Sequence, residues 1–178
     1  MRITGGEARG RNIGGPSGGA VRPTGSKVRQ ALFNIIGARI ENARFLDICA
    51  GSGLVGLEAV SRGAASLTSV EENKATVKAL TNSAEKLGYK PKILALDFKK
   101  ALPLLHGEKF DLIFADPPYR AGCVPSIFAL IWEYELLSDD GLVIVEHLSN
   151  VSLDENANLV KTSTRTYGQA ALSFFTHA

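Results

Sequence analysis

The stretch RFLDICAGSGLVGLEAVSRG, Arg44 to Gly63, carries a strand, a glycine turn and a helix in immediate succession. RFLDICA is a short apolar run of strand character, and GLVGLEAVSRG reads as a helix closed by Gly63. Between them Gly51, Gly53 and Gly56 spell G-x-G-x-x-G. Glycines there let the chain turn sharply and bring backbone close to a ligand with no Cβ in the way. The spelling is shared by dinucleotide-binding proteins and others, so alone it predicts only the strand–loop–helix unit. The same alternation continues on both sides. SLTSVE is the next strand, and NKATVKALTNSAEKLG a helix over 73–88 with Val77, Leu80, Ala84 and Leu87 on one side. KILAL and FDLIFA are strands, PSIFALIWEYELL a helix and GLVIVEH a fifth strand; the tail holds two antiparallel strands around Tyr167-Gly168. Upstream, TGSKVRQALFNIIG predicts a helix with Thr24 or Ser26 as N-cap, Gly37 as stop, and Val28, Leu32, Ile35 and Ile36 as its apolar face. The expected fold is α/β: a doubly wound, mostly parallel seven-stranded sheet with an antiparallel last strand.

The 178 residues fit one such fold, and 45% hydrophobic with 21% charged residues is ordinary for a globular chain. No apolar run approaches the ~20 residues that span a membrane, and MRITGGEARGR lacks the apolar core of a signal peptide. Two cysteines, Cys49 and Cys123, offer neither a disulfide framework nor a metal-binding CxxC. A reducing, cytoplasmic setting and a metal-free site are expected. Net charge is only +2, but it is unevenly spread. Residues 1–30 set Arg2, Arg9, Arg11, Arg22, Lys27 and Arg29 against Glu7 alone, leaving the rest of the chain net acidic. Eight of the eighteen glycines fall in residues 1–25. This predicts a basic, glycine-rich arm over 1–25, with a short hairpin around Met1 to Ile13, ahead of a domain over 26–178. Such an arm suits an anionic partner.

In open parallel sheets ligands bind off the carboxyl ends of the strands, and acids sit at or near several of those ends here. Asp47 lies inside the first strand's end, four residues before Gly51. A carboxylate there repels a pyrophosphate but suits an ammonium group, such as that of S-adenosylmethionine. Glu71 ends the second strand and can accept both hydroxyls of a ribose, a device that NAD enzymes share. Asp97 follows the third strand, where it can accept from an adenine amino group or cap the next helix.

The fourth strand ends in FADPPYR, Phe114 to Arg120. Two consecutive prolines fix φ twice and remove two backbone donors, so the loop is stiff. Asp116-Pro117-Pro118-Tyr119 resembles the signature of methyltransferases that modify exocyclic or amide nitrogens. Those nitrogens are weak nucleophiles because their lone pair is delocalised. A carboxylate and a proline carbonyl accepting the two N–H bonds localise the pair, and an aromatic ring stacks on the base for ~1–3 kcal/mol.

MRITGGEARGR, RPTGSKVRQALFNIIG, AGSGLVGLEAVSRGA, DLIFADPPY and YGQAALSFF occur in this order. Together they resemble the RsmD-type family of bacterial methyltransferases, over nearly the whole chain and least over residues 148–163. The resemblance implies a Rossmann-like methyltransferase fold, S-adenosylmethionine as donor with S-adenosylhomocysteine as product, and transfer to the N2 amine of a guanine in small-subunit ribosomal RNA. It places Asp47, Gly51, Gly53, Glu71 and Asp97 on cofactor positions and Asp116 to Tyr119 on the catalytic motif. It places Arg22-Pro23-Thr24 and Arg29 on a stretch that closes the site or holds RNA. The chain departs from the family at Gln30, where Glu is common, at Gly25-Ser26, where an acid is common, and in CAGSGLVG, where FAGSGALG is usual. The implied partner is ribosomal RNA or the assembled small subunit, and a monomer is expected. The competing readings are a nitrogen methyltransferase acting on DNA adenine N6 or protein glutamine, and an NAD-dependent oxidoreductase. Cys49 and Cys123 are expected to pack as small apolar residues. His147 is expected to meet solvent or a backbone partner, and Trp132 to lie in helix core.

Overall fold

The computed structural model describes residues 1–14, 25–118, 123–155 and 158–178. Its strands are β1 Arg44–Ile48, β2 Ser66–Val70, β3 Lys92–Leu94, β4 Phe110–Ala115, β5 Leu137–Leu148, β6 Leu159–Tyr167 and β7 Ala170–His177. They form one sheet in the order β3-β2-β1-β4-β5-β7-β6. β1 to β5 pair in parallel, while β7 runs antiparallel to both β5 and β6. The order reverses between β1 and β4, so the carboxyl ends of these two neighbours flank the crevice where such sheets take ligands.

Helices α1 Ser26–Ile36, α2 Leu54–Ser61, α3 Lys74–Leu87, α4 Phe98–Ala101 and α5 Cys123–Glu133 cover both faces. Strand side chains alternate, and the parity of each central strand assigns its residues to a face. Phe45, Leu112, Phe114, Leu142 and Ile144 join one apolar cluster with residues of α1, α2 and α3. Leu46, Ile48, Ile113, Ala115, Val143 and Val145 join the other, under α4 and α5. Burial on both faces explains why β1, β4 and β5 read as nearly unbroken apolar runs.

The amino-terminal hairpin forms: Arg2 bridges Asn12, and the Ile3 and Ile13 amides donate to the Arg11 and Met1 carbonyls. Ile3, Ala8 and Ile13 are buried in the first cluster, so the hairpin lies against the helices rather than apart from them. Its anchor is the end of α2. The Glu7 amide donates to the Ser61 carbonyl, the Ala8 amide to Ser61 Oγ, and Ser61 Oγ to the Gly5 carbonyl. The approach requires Gly6, at φ +80°, because a Cβ there would stand 1.8 Å from the Ser61 carbonyl oxygen.

Three local expectations are corrected. The buried face of α1 is Val28, Arg29, Leu32, Phe33 and Ile36, whereas Ile35 is 42% exposed. Positions 29, 32, 33 and 36 follow the i, i+3, i+4, i+7 spacing of one stripe, and Arg29 belongs to it because its charge is met inside. The N-cap is Gly25, with no side-chain bond; Ser26 is the first helical residue and Thr24 lies outside the described residues. Trp132 is 50% exposed, since α5 turns Ile127, Phe128 and Ile131 inward instead. Gly37 does end α1, with φ +56°.

Candidate active site at the carboxyl edge of the sheet

The chain leaves β1 through a run of left-handed residues: Cys49, Gly51 and Gly53 have φ of 61°, 54° and 72°. Cys49 therefore lies in the turn just beyond the strand, half-buried against the α4/α5-side cluster. The Ala50 amide still donates to Val70 of β2, and the Gly53 amide donates back to Ala50, which folds the loop over the strand ends. Gly53 then starts α2.

Asp47 lies beneath that helix start, 1% exposed, and its Oδ2 accepts from the Gly56 amide at 3.0 Å. A Cβ at Gly56 would meet Leu67 at 2.7 Å and Asp47 Oδ2 at 2.9 Å, so the third glycine of the motif is what lets the helix approach this carboxylate. Burial pushes the Asp47 carboxyl up to about 7; the Gly56 amide opposes this, and the charge of Glu71 adds to it. The amino end of α2, where a dinucleotide enzyme holds pyrophosphate, faces an acid here. That arrangement disfavours a phosphate and favours a ligand ammonium, which would draw Asp47 back to its charged form.

Glu71, just past β2, ties the loop in place. Its Oε2 accepts from the Gly51 amide and its Oε1 from the Asn73 amide, both at 2.8 Å. Each carboxylate oxygen has a second lone pair, so these bonds leave capacity for the two hydroxyls of a ribose. Asp97 follows β3 and caps α4, its Oδ1 accepting from the Lys99 amide at 2.9 Å. The capping reading of Asp97 is thus realised, and the cap engages one of its oxygens.

On the other side of the crevice, β4 runs into Asp116. The Asp116 amide still donates to the Ile48 carbonyl of β1 at 3.3 Å, which holds it beside the glycine loop. Pro117 is buried and Pro118 exposed. Tyr119 lies outside the described residues, as does Arg22. Burial pushes the Asp116 carboxyl up to about 8, and the charges of Glu146 and Asp47 add to the rise. Glu146 is a further acid at this edge, beyond those expected from the sequence. Ala115 pairs in register with Val145, so the next residues, Asp116 and Glu146, come abreast. The rule that acids at carboxyl strand ends mark a site applied equally to GLVIVEH. Its neighbour His147, buried, bonds the Leu148 carbonyl through Nδ1 and Ser173 Oγ through Nε2.

The sheet therefore brings together Asp47, Gly51, Gly53, Glu71, Asp116 and Pro117, with Asp97 at its β3 end. The polar side chains and proline carbonyl gathered there are all hydrogen-bond acceptors. They fit a ligand rich in donors, as S-adenosylmethionine is through its ammonium, ribose hydroxyls and adenine amine. Among the described residues no cluster of His, Cys, Asp and Glu could hold a metal ion.

The basic residues divide. Arg2, Arg9, Arg11 and Lys27 are exposed, and Arg11 donates to the Lys86 carbonyl. Arg29 corrects the expectation that it meets RNA: it is 2% exposed, with Nε 2.7 Å from Glu58 Oε2 and Nη2 donating to the Arg2 carbonyl. Glu58 is fully buried and also accepts from Thr4 and Arg62. This hub joins the hairpin, α1 and α2. One acid in an otherwise apolar helix, LVGLEAVS, was the sequence signal for it.

Comparison with known proteins agrees with this architecture. The family model described as "Conserved hypothetical protein 95" matches residues 1–176. YlbH of Bacillus subtilis is 32% identical over 98% of each chain. Ribosomal RNA small subunit methyltransferase D of Escherichia coli K12 is 34% identical over 82% of this chain and 74% of its own. Among solved structures, yhhF of Escherichia coli superposes with a TM-score of 0.88 at 32% identity, covering 99% of this chain and 97% of that one. The chain belongs to the RsmD-type family of methyltransferases.

Proposed function

We propose that this chain transfers a methyl group from S-adenosylmethionine to the exocyclic N2 of a guanine in small-subunit ribosomal RNA. The observation that carries the reading is Asp116-Pro117-Pro118, held at the end of β4 beside the Asp47–glycine loop at the reversal point of the sheet. When bound, the donor supplies a methyl group on a sulfonium that departs as a neutral thioether. The chain supplies position and charge. Asp47 receives the ammonium, Glu71 the ribose hydroxyls, and Asp97 the adenine side, while Gly51 and Gly53 let the loop follow the ligand. Asp116 and the Pro117 carbonyl accept the two N–H bonds of the guanine amine and aim its lone pair at the methyl carbon. Pro118 stiffens the loop, and Tyr119 supplies the stacking ring for an unpaired or flipped base.

The arm over 1–25 supplies phosphate contacts to the domain over 26–178. Arg2, Arg9 and Arg11 are its exposed cations, joined by Arg22 from the family motif and by the exposed Lys27 at the start of α1. Such contacts position the RNA, bare or within the assembled subunit, without reading its sequence. The relatives named ribosomal RNA small subunit methyltransferase D support ribosomal RNA as the substrate, and the choice of N2 is what the family resemblance of the sequence implies.

Asp116→Ala tests the reading. The variant should bind S-adenosylhomocysteine and RNA as the parent does while losing turnover; unchanged turnover would remove Asp116 from the role given it. Calorimetry with S-adenosylhomocysteine and NAD separates the oxidoreductase reading, and mapping N2-methylguanine in ribosomal RNA from cells with and without the protein identifies the base.

A further inference from the structure

We propose that the face of the sheet between α1 and the edge strand β6 is a track for the RNA strand that flanks the target base, with Arg165 as a phosphate contact and Lys27 across from it. The inference rests on the RNA-methylation reading above and adds a surface to it.

The hairpin cations lie far from the reacting edge. The hairpin is anchored on Ser61, where α2 ends, and Arg11 donates to the Lys86 carbonyl near the end of α3. Both helices start at the carboxyl edge of the sheet and run away from it. The fourteen residues of α3 carry the chain about 20 Å. A base presented to Asp116 therefore needs other partners for its nearest phosphates.

Register provides one. Ala115 lies opposite Val145, which puts Asp116 abreast of Glu146; Glu146 pairs with Leu172, and Leu172 with Arg165. Registered side chains share a face, and Leu172 belongs to the α1-side cluster, so Arg165 projects from that side. Three strand spacings separate Arg165 from Asp116, about 14 Å. That is about four rises of a stacked strand at roughly 3.4 Å each, so a strand that delivers its guanine to Asp116 can pass Arg165 within a few nucleotides.

The opposite wall is α1, which packs on β7. It ends just ahead of β1, so its first turn, with Lys27, stands at the carboxyl edge. Arg29 and Phe33 turn toward α2, where Arg29 bonds Glu58 and Arg62 lies over the Phe33 ring. Lys27, two residues before Arg29, stands about 160° from it around the helix and so is turned to the β6 side. Lys27 and Arg165 are both exposed. Among the described residues neither has a carboxylate partner: the ion pairs are those of Arg29, Arg44, Arg62 and Lys92. Tyr167 follows Arg165 on the same face, half-buried against the α1-side cluster and nearer the mouth of the site. Cations with an aromatic ring among them suit a single strand, whose phosphates and bases they meet in turn.

Arg165→Gln and Arg165→Glu test the track, and Lys109→Glu, at the start of β4 on the opposite edge, controls for charge alone. Calorimetry with S-adenosylhomocysteine checks that each variant is folded. Affinity is read by anisotropy of the fluorescently labelled chain, titrated over a range of salt with bare small-subunit ribosomal RNA and with the assembled subunit. Arg165→Gln should weaken binding at least about threefold and lower the salt slope by about one, and Arg165→Glu should weaken it further. Lys109→Glu should stay near the parent in both. A benzophenone side chain at position 165 should crosslink, on irradiation, within about four nucleotides of the methylated guanine. Parental affinity and slope in Arg165→Gln, or crosslinks confined to distant nucleotides, would overturn the inference. Duplex DNA is the second arm: an Arg165-dependent slope there with none on RNA would give the groove to another polyanion and overturn it as well. A parent that neither binds nor methylates RNA or subunit refutes the proposed function and this inference with it. A parent that methylates either one, beside an unchanged Arg165→Gln, refutes this inference alone.

Discussion

Replacing Glu58 by glutamine removes one negative charge and almost no volume, and the consequence follows from what Glu58 touches. Its carboxylate accepts from the Thr4 amide and hydroxyl, from Arg29 Nε at 2.7 Å, and from Arg62 Nε and Nη2 at 3.0 and 2.8 Å. Arg62 is partly exposed and can find water, but Arg29 is 2% exposed and cannot. After the change the Arg29 guanidinium keeps the Arg2 carbonyl and loses its counter-charge. Removing one partner of a buried pair costs about 3–5 kcal/mol, most of it the burial of the charge left behind. In a chain of this length each kcal/mol moves Tm by about 2–4 °C, so a fall of roughly 6–20 °C is expected. Urea and thermal unfolding of the substrate-free chain read this directly. Burial would raise the Glu58 carboxyl, but the bonds from Thr4, Arg29 and Arg62 outweigh it and hold it below the usual range. The stability it gives is therefore present above the unfolded carboxyl pKa and lost as pH falls through the lower folded value, a loss the glutamine variant should not show. A second variant, Arg29→Met with Glu58→Leu, removes both charges and should recover most of the loss. A single variant within about 1 kcal/mol of the parent, or a double variant as unstable as the single, would refute this account of the hub.

Four further outcomes are expected. Asp47 behaves oppositely to Glu58: its folded carboxyl is raised to about 7, so the stability it gives is full below about pH 4 and lost as pH rises through 7. Urea unfolding between pH 4 and 8 should show that slope, and Asp47→Asn should flatten it. Gly56→Ala drives a methyl group against Asp47 and Leu67 and should weaken S-adenosylhomocysteine binding at least about tenfold by calorimetry. Charge reversal at Arg2 and Arg9 should weaken RNA binding alike across sequences and lower the salt-dependence slope by about one per lost phosphate contact. Arg29→Lys, by contrast, should leave that slope unchanged and appear in unfolding experiments.

Sequence by itself determined the layered fold, because alternating apolar runs and helical stripes leave few ways to bury both faces of a sheet. It also located Asp47, Glu71 and Asp116, since each ends a strand and parallel strands bring their carboxyl ends to one edge. Local signals do not record which neighbour meets which charge. Arg29 and Glu58 are 29 residues apart, and only the docking of α1 and the hairpin against α2 turned a cation expected on the surface into a buried partner. Asp116 and Glu146 became neighbours only through the β4–β5 register. Residue type and spacing along a chain set what a segment can form; the charge state of a carboxyl depends on what stands within a few ångströms, and that is decided when distant segments pack.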